Sequence, residues 1–154
     1  MNTPEWRPIT LPLEGPNAEK KIFEFYPSRA PWTMVLDYVQ DCVLKIEASG
    51  LWTVPQEATT ECGPDGSPFI PVADALTTEA LPGMLIAKLG GGLAQSKPAD
   101  IILAGSACVV NVDNKLGYSL FLGMNLISAK QPCFQSPPPA APKKLTITIF
   151  EAKR

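Results

Sequence analysis

The chain contains no histidine, and this removes much chemistry at once. Without an imidazole, Ser–His and Cys–His nucleophile pairs cannot be assembled within one chain. Histidine-based zinc and iron sites are excluded for the same reason. The four cysteines, Cys42, Cys62, Cys108 and Cys133, include no C-x-x-C pair, which argues against structural zinc. A hydrolase working with carboxylates alone stays open in principle, since its acids need only converge in the fold, which spacing along the chain does not reveal. The chemistry left is recognition by an otherwise non-enzymatic protein. Trp52 offers a ring that could stack on a sugar or seal a core rim. Asp65, like Asp113 and Asn114, is an oxygen donor set in ordinary turn contexts. Asn125, Ser128 and Gln131 could hydrogen-bond a neutral ligand at a loop end. Trp52, Asp65, Asn125, Ser128 and Gln131 are therefore the candidate ligand-binding set, with no metal and no cofactor expected. The triple glycine Gly90–Gly92 lacks the Lys-Ser/Thr and the helix of a phosphate loop and reads as a turn.

Those residues need a scaffold, and composition indicates which kind. Hydrophobic residues make up 45% of 154 positions, enough for one domain with a real core. Seventeen prolines and eleven glycines, spread among short apolar runs, indicate many turns and few long helices, the composition of an all-β domain. The net charge of −2 argues against a nucleic-acid partner, which calls for a basic face. No run of 18 apolar residues occurs, so no transmembrane helix is expected. MNTPEWRPIT has no apolar signal region. A cytoplasmic location, or export without a Sec-type signal, is the expectation, with the cysteines reduced. Cys62 and Cys133, in turn-rich stretches, are expected nearest the surface.

The strand signals run through the chain. Residues 1–16, with prolines at 4, 8, 12 and 16, read as an extended arm on a sheet edge, where proline is tolerated, and Trp6 could anchor it. Ile22–Tyr26 and Trp32–Tyr38 read as strands rich in aromatic and β-branched residues. Cys42–Ala48 alternates strictly, with Leu44, Ile46 and Ala48 on one face. Leu51–Val54 follows a Ser49-Gly50 turn. Residues 55–71 read as loop, with Gly63-Pro64-Asp65-Gly66 a strong turn. Val72–Leu81 has room for one helical turn. Met84–Leu89, bounded by Pro82-Gly83 and the triple glycine, reads as a strand buried on both faces. Ala99–Leu103, Ala107–Val112 and Ser119–Asn125 add three strands, the last two joined by a hairpin-like turn at Asp113-Asn114-Lys115. Residues 126–144 are irregular, with extended polyproline at 137–139. Lys144–Ala152 closes the chain with Leu145, Ile147 and Ile149 alternating against threonines. This amounts to roughly eight strands at the spacing of a β-sandwich in a single domain, residues 1–154.

The order of several of these motifs resembles a known family. Gly50-x-Trp52, then Gly63-Pro64-Asp65-Gly66, Leu85-Ile86-Ala87-Lys88-Leu89-Gly90, Leu120-Phe121-Leu122-Gly123-Met124-Asn125 and the closing strand 145–150 follow the succession found in the soluble calcium-dependent galactose-binding bacterial lectins (PA-I-like). The wider group of galactose-binding-like jelly rolls shares that core. The likeness covers residues 41–151 and leaves the first forty outside. It implies a two-sheet jelly roll with ligand loops at one end. In that family calcium is held by a Tyr after G-x-W, by an Asp directly after the late-strand Asn, and by Thr and Asn further on. Here Asn125 is followed by Leu126, the loop runs Ile127-Ser128-Ala129-Lys130-Gln131-Pro132, and Trp52 is followed by Thr53-Val54-Pro55. The family's sugar-contacting His-Pro pair falls on Ile70-Pro71. Calcium wants six to eight oxygens, several of them charged, so the resemblance carries the scaffold without the metal site.

The expected function is a protein-interaction module on a lectin-like jelly-roll β-sandwich. The second reading is a carbohydrate-binding lectin with a metal-independent or altered site. The partner is then a protein or a carbohydrate, and self-association into a homo-oligomer is compatible with either.

Overall fold

The computed structural model describes residues 6–9, 22–25, 32–39, 42–54, 57–70, 72–90, 101–112, 118–126 and 143–153. Eleven strands lie among them: β1 (Arg7–Pro8), β2 (Ile22–Phe25), β3 (Thr33–Val39), β4 (Cys42–Ser49), β5 (Trp52–Val54), β6 (Glu57–Cys62), β7 (Leu85–Gly90), β8 (Ile102–Leu103), β9 (Ala107–Val112), β10 (Tyr118–Met124) and β11 (Leu145–Lys153). A 3-10 turn at Val72–Asp74 fills the place where one helical turn was expected. Every strand pair is antiparallel, as expected for strands that bury one face each.

One sheet has the order β1-β11-β4-β9, with β2 also paired to β11; a second has the order β3-β10-β7-β8; β5 and β6 form a separate hairpin. Alternation explains which side chains meet between the sheets. In β4, Cys42, Leu44, Ile46 and Ala48 are buried while Val43, Lys45 and Glu47 point away. In β11, Leu145, Ile147 and Ile149 are fully buried, with Ile149 directly opposite Ile46. The other sheet supplies Leu85, Ala87, Leu120, Leu122 and Met124 to the same apolar cluster, and Phe23, Val110 and Trp52 join it. A single core between two antiparallel sheets is a sandwich arrangement. Each fully buried Leu or Ile contributes roughly 1.5–3 kcal/mol relative to exposure.

The central strand β7 is buried on both faces, with Leu85, Ile86, Ala87 and Lys88 in succession below one tenth exposure. Burial lowers the Lys88 pKa from its ordinary value, and its ammonium lies 5.0 Å from the Trp32 ring centre and 5.1 Å from that of Phe121. The N-terminal arm lies on a sheet edge at Arg7 and Pro8, opposite Glu151 and Phe150. Lys45 reaches both the Trp6 ring, at 4.9 Å, and the Phe150 ring, at 4.6 Å, so Trp6 fastens the arm.

Three expectations are corrected. Residues 57–62 form a strand rather than a loop, pairing with β5 so that Trp52 lies opposite Cys62. Their polar Glu-Ala-Thr-Thr-Glu sequence has no apolar alternation, and the pairing comes from the hairpin that Thr53 and Trp52 begin. β9 and β10 do not form a hairpin: β9 pairs with β4 in one sheet and β10 with β3 and β7 in the other. Turn chemistry is local and carries no information about which sheet the next strand joins. Cys62 is buried, at 4% exposure, not near the surface. Residues 91–100, 113–117 and 127–142, which include Cys133, Ser128, Gln131 and the polyproline run, lie outside the described residues.

Candidate functional site

The loops between β6 and β7, residues 63–84, are built around one buried polar side chain. Asn125, at the end of β10, has no exposed surface. Its Oδ1 accepts the Thr77 backbone N–H at 2.9 Å. Its Nδ2 donates to three carbonyls: Thr77 at 3.0 Å, Ala80 at 3.2 Å and Leu81 at 3.0 Å. The Asn125 backbone continues the job, donating to Met84 O at 2.8 Å and accepting from Gly83 N at 3.1 Å. A loop with no regular ladder of its own must satisfy its carbonyls somehow, and a single carboxamide does so for residues 77–81.

Gly83 is the second anchor. Its carbonyl accepts the Trp52 indole N–H at 3.1 Å and the Cys62 thiol at 3.6 Å. Its φ is +84°, and a Cβ there would lie 2.8 Å from Cys62 Sγ and 3.0 Å from Ile70 Cδ1, so only glycine fits. Burial pushes the Cys62 thiol up to about 11, with the contact to Trp52 acting in the opposite direction. That thiol is a structural group, since a reactive one needs the thiolate.

The Gly63–Gly66 turn locks against the same segment. Gly66 N donates to Gly63 O at 3.1 Å, Ser67 N to Pro82 O at 2.9 Å, and Leu85 N to Pro64 O at 2.8 Å. Asp65 reaches sideways, and its Oδ1 accepts the Ser106 N–H at 2.8 Å. This tethers the turn before β9 to the turn after β6.

Of the five sequence candidates, Trp52, Asp65 and Asn125 lie among the described residues, and each is engaged with the fold rather than open to a ligand. Trp52 is fully buried, its ring 6.2 Å from Phe25, and presents no face to a sugar. Asn125 is equally buried and committed to the loop carbonyls. The core takes the ring and the loop takes the amide. Asp65 is exposed but engaged with Ser106. Ser128 and Gln131 lie outside the described residues. Among the described residues no group of three or more Cys, Asp or Glu side chains could hold a metal ion.

Beside the polar Asp65, Thr78 and Glu79, this braced cluster exposes three large apolar residues. Phe69 is 90% exposed, Val72 61% and Leu81 43%. Ile70, beside Phe69, is only 3% exposed and packs in the core. The Phe69 N–H is held by Ser67 Oγ at 3.1 Å, so a pinned backbone presents the ring outward. None of these three residues is among the sequence candidates. Pro68 and Phe69 lie in a turn and Ile70 in a bend, so no sequence period marks which of the two apolar neighbours turns outward. The chain matches no family model and no curated protein.

Proposed function

We propose that this chain is a non-enzymatic binding module that engages a protein partner through the braced loops of residues 63–84. The observation that carries this reading is Phe69, almost fully exposed at 90% next to a core-anchored Ile70. Large aromatic side chains held out on a fixed backbone are enriched at protein–protein contacts. Val72 and Leu81, from the same loops, add apolar surface to be covered. The lectin-like jelly-roll reading of the scaffold belongs to the same proposal, supported by the two antiparallel sheets and the motif order from Gly50 to Asn125. A sugar-binding role has less support, because Trp52 and Asn125 are spent on the fold. The absence of histidine weighs against most hydrolytic chemistry.

The test compares wild type with Phe69→Ala in affinity capture from the native cell, with a glycan array run with and without calcium alongside. The proposal expects a defined protein captured by wild type and lost with Phe69→Ala, and an empty array. Glycan binding that Phe69→Ala leaves intact would replace it with the lectin reading.

A further inference from the structure

Edge strands expose backbone donors and acceptors, and natural sheets blunt them with charge, proline, bulges or short length. Most edges of this molecule follow that rule. β1 is two residues, Arg7 and Pro8. β8 is also two residues. β3 carries Asp37, and its pairing with β10 contains register shifts. β5 is three residues with a register shift, and its partner β6 carries Glu57 and Glu61. β9 is different. Its six residues, Ala-Cys-Val-Val-Asn-Val, contain neither charge nor proline. Its register with β4 is unbroken from Glu47↔Ala107 to Cys42↔Val112, and among the described residues it pairs with β4 alone. Its outward-facing Val109 is 61% exposed.

We propose that β9 is a self-association edge, through which a second copy of this chain pairs antiparallel and joins the two five-stranded sheets across a two-fold axis. Residues directly opposite in an antiparallel pair share a face. The two-fold must then pass through a residue position rather than between two, or the buried and exposed faces would be exchanged. Centred on Val109, it sets Val109 against its counterpart, Ala107 against Asn111 and Cys108 against Val110. This centre buries valine against valine, whereas a centre on Val110 would put Val109 against the polar Asn111.

Charge favours a second copy as the occupant. The strand is neutral, so self-pairing opposes no like charges directly. The nearest charged row is Lys45, opposite Val109 on β4 and ion-paired to Glu47 at 3.4 Å. Across the axis, Lys45 and its counterpart would stand three strand spacings apart, about 14 Å, beyond the Debye length of about 8 Å at physiological ionic strength. A single strand pair buries little area, so the dimer is weak. This surface is separate from Phe69, and the two readings succeed or fail independently.

Sedimentation equilibrium from micromolar to millimolar protein reads the proposal directly. Wild type is expected to follow a concentration-dependent monomer–dimer equilibrium. Val109→Glu is expected to stay monomeric. Its carboxylate faces Lys45 within the copy, which preserves the fold, but faces its own counterpart at the axis. Val109→Cys, mildly oxidised, is expected to give disulfide dimers on a non-reducing gel, because opposite Cα atoms about 4.5–5.5 Å apart suit a disulfide. Ala107→Cys is expected not to, being about 13 Å from its counterpart in this register. Wild type run alongside reports any cross-linking by the native cysteines. Monomeric wild type throughout, a dimer that survives Val109→Glu, or Val109→Cys that cross-links no better than Ala107→Cys would each overturn it. Should Val109→Glu fail to melt cooperatively, the cysteine pair still decides.

Discussion

Asn125 and Cys62 show how much of this molecule rests on single buried polar groups. Replacing Asn125 with Ala removes one acceptor and the donors to three carbonyls, and leaves loop polar groups without partners in a closed environment. Each such group costs about 1–3 kcal/mol, so Asn125→Ala is expected to lose about 3–5 kcal/mol, read as a fall in the urea midpoint. Cys62 gives a pH dependence with a definite sign. Its folded pKa is raised from 9.0 to about 11, so the folded state keeps a proton that the unfolded state releases. The stability this thiol contributes is complete below pH 9.0 and is lost as pH rises towards 11. Urea melts across that window are expected to show a steeper decline for wild type than for Cys62→Ala. In the native protein Cys62 is expected to resist thiol reagents at neutral pH.

At the scale of elements, the loop cluster separates stability from function at two adjacent positions. Ile70→Ala opens a cavity in the core and is expected to cost about 2–5 kcal/mol. Phe69→Ala removes an exposed ring and is expected to change stability by less than about 0.5 kcal/mol while abolishing capture of the partner. A thermal melt paired with the capture assay checks both. The same contrast shows what was legible in the sequence. Strands with a strong local period were readable: β4 from Leu44, Ile46 and Ala48, β11 from Leu145, Ile147 and Ile149, and β7 from its sharp glycine and proline boundaries. β6 was not, because Glu57–Cys62 has no apolar alternation and is ordered by its partner strand. The separation of β9 and β10 into different sheets was not readable either, since Asp113-Asn114-Lys115 encodes a turn and not a destination. For the site, residue type misled. Trp52 and Asn125 have the right chemistry for a ligand, but burial is a tertiary fact, and it turns both inward. Phe69, which looked like one apolar residue in a loop, is turned outward because Ile70 takes the core position.

The described residues form two sheets and a hairpin around one core, and the loops of residues 63–84 are held by the Asn125 and Asp65 side chains and the Gly83 carbonyl. The residues after Asn125 contain no carboxylate as far as Pro132 and do contain Lys130, a poor setting for a hard dication. The expected outcome is that calcium leaves the melting temperature unchanged. The size of the alternative makes this decisive. A site with Kd of about 0.1 mM, within the range of weak extracellular modules, would add about 1.4 kcal/mol at about 1 mM calcium. For a domain of this size that is a rise of about 3–5 °C, well within the reach of a thermal-shift titration against a chelator control. Such a rise would mean that the folded chain binds calcium. The scaffold would then bring the metal and its sugar back into the account of function, at the expense of the Phe69 surface.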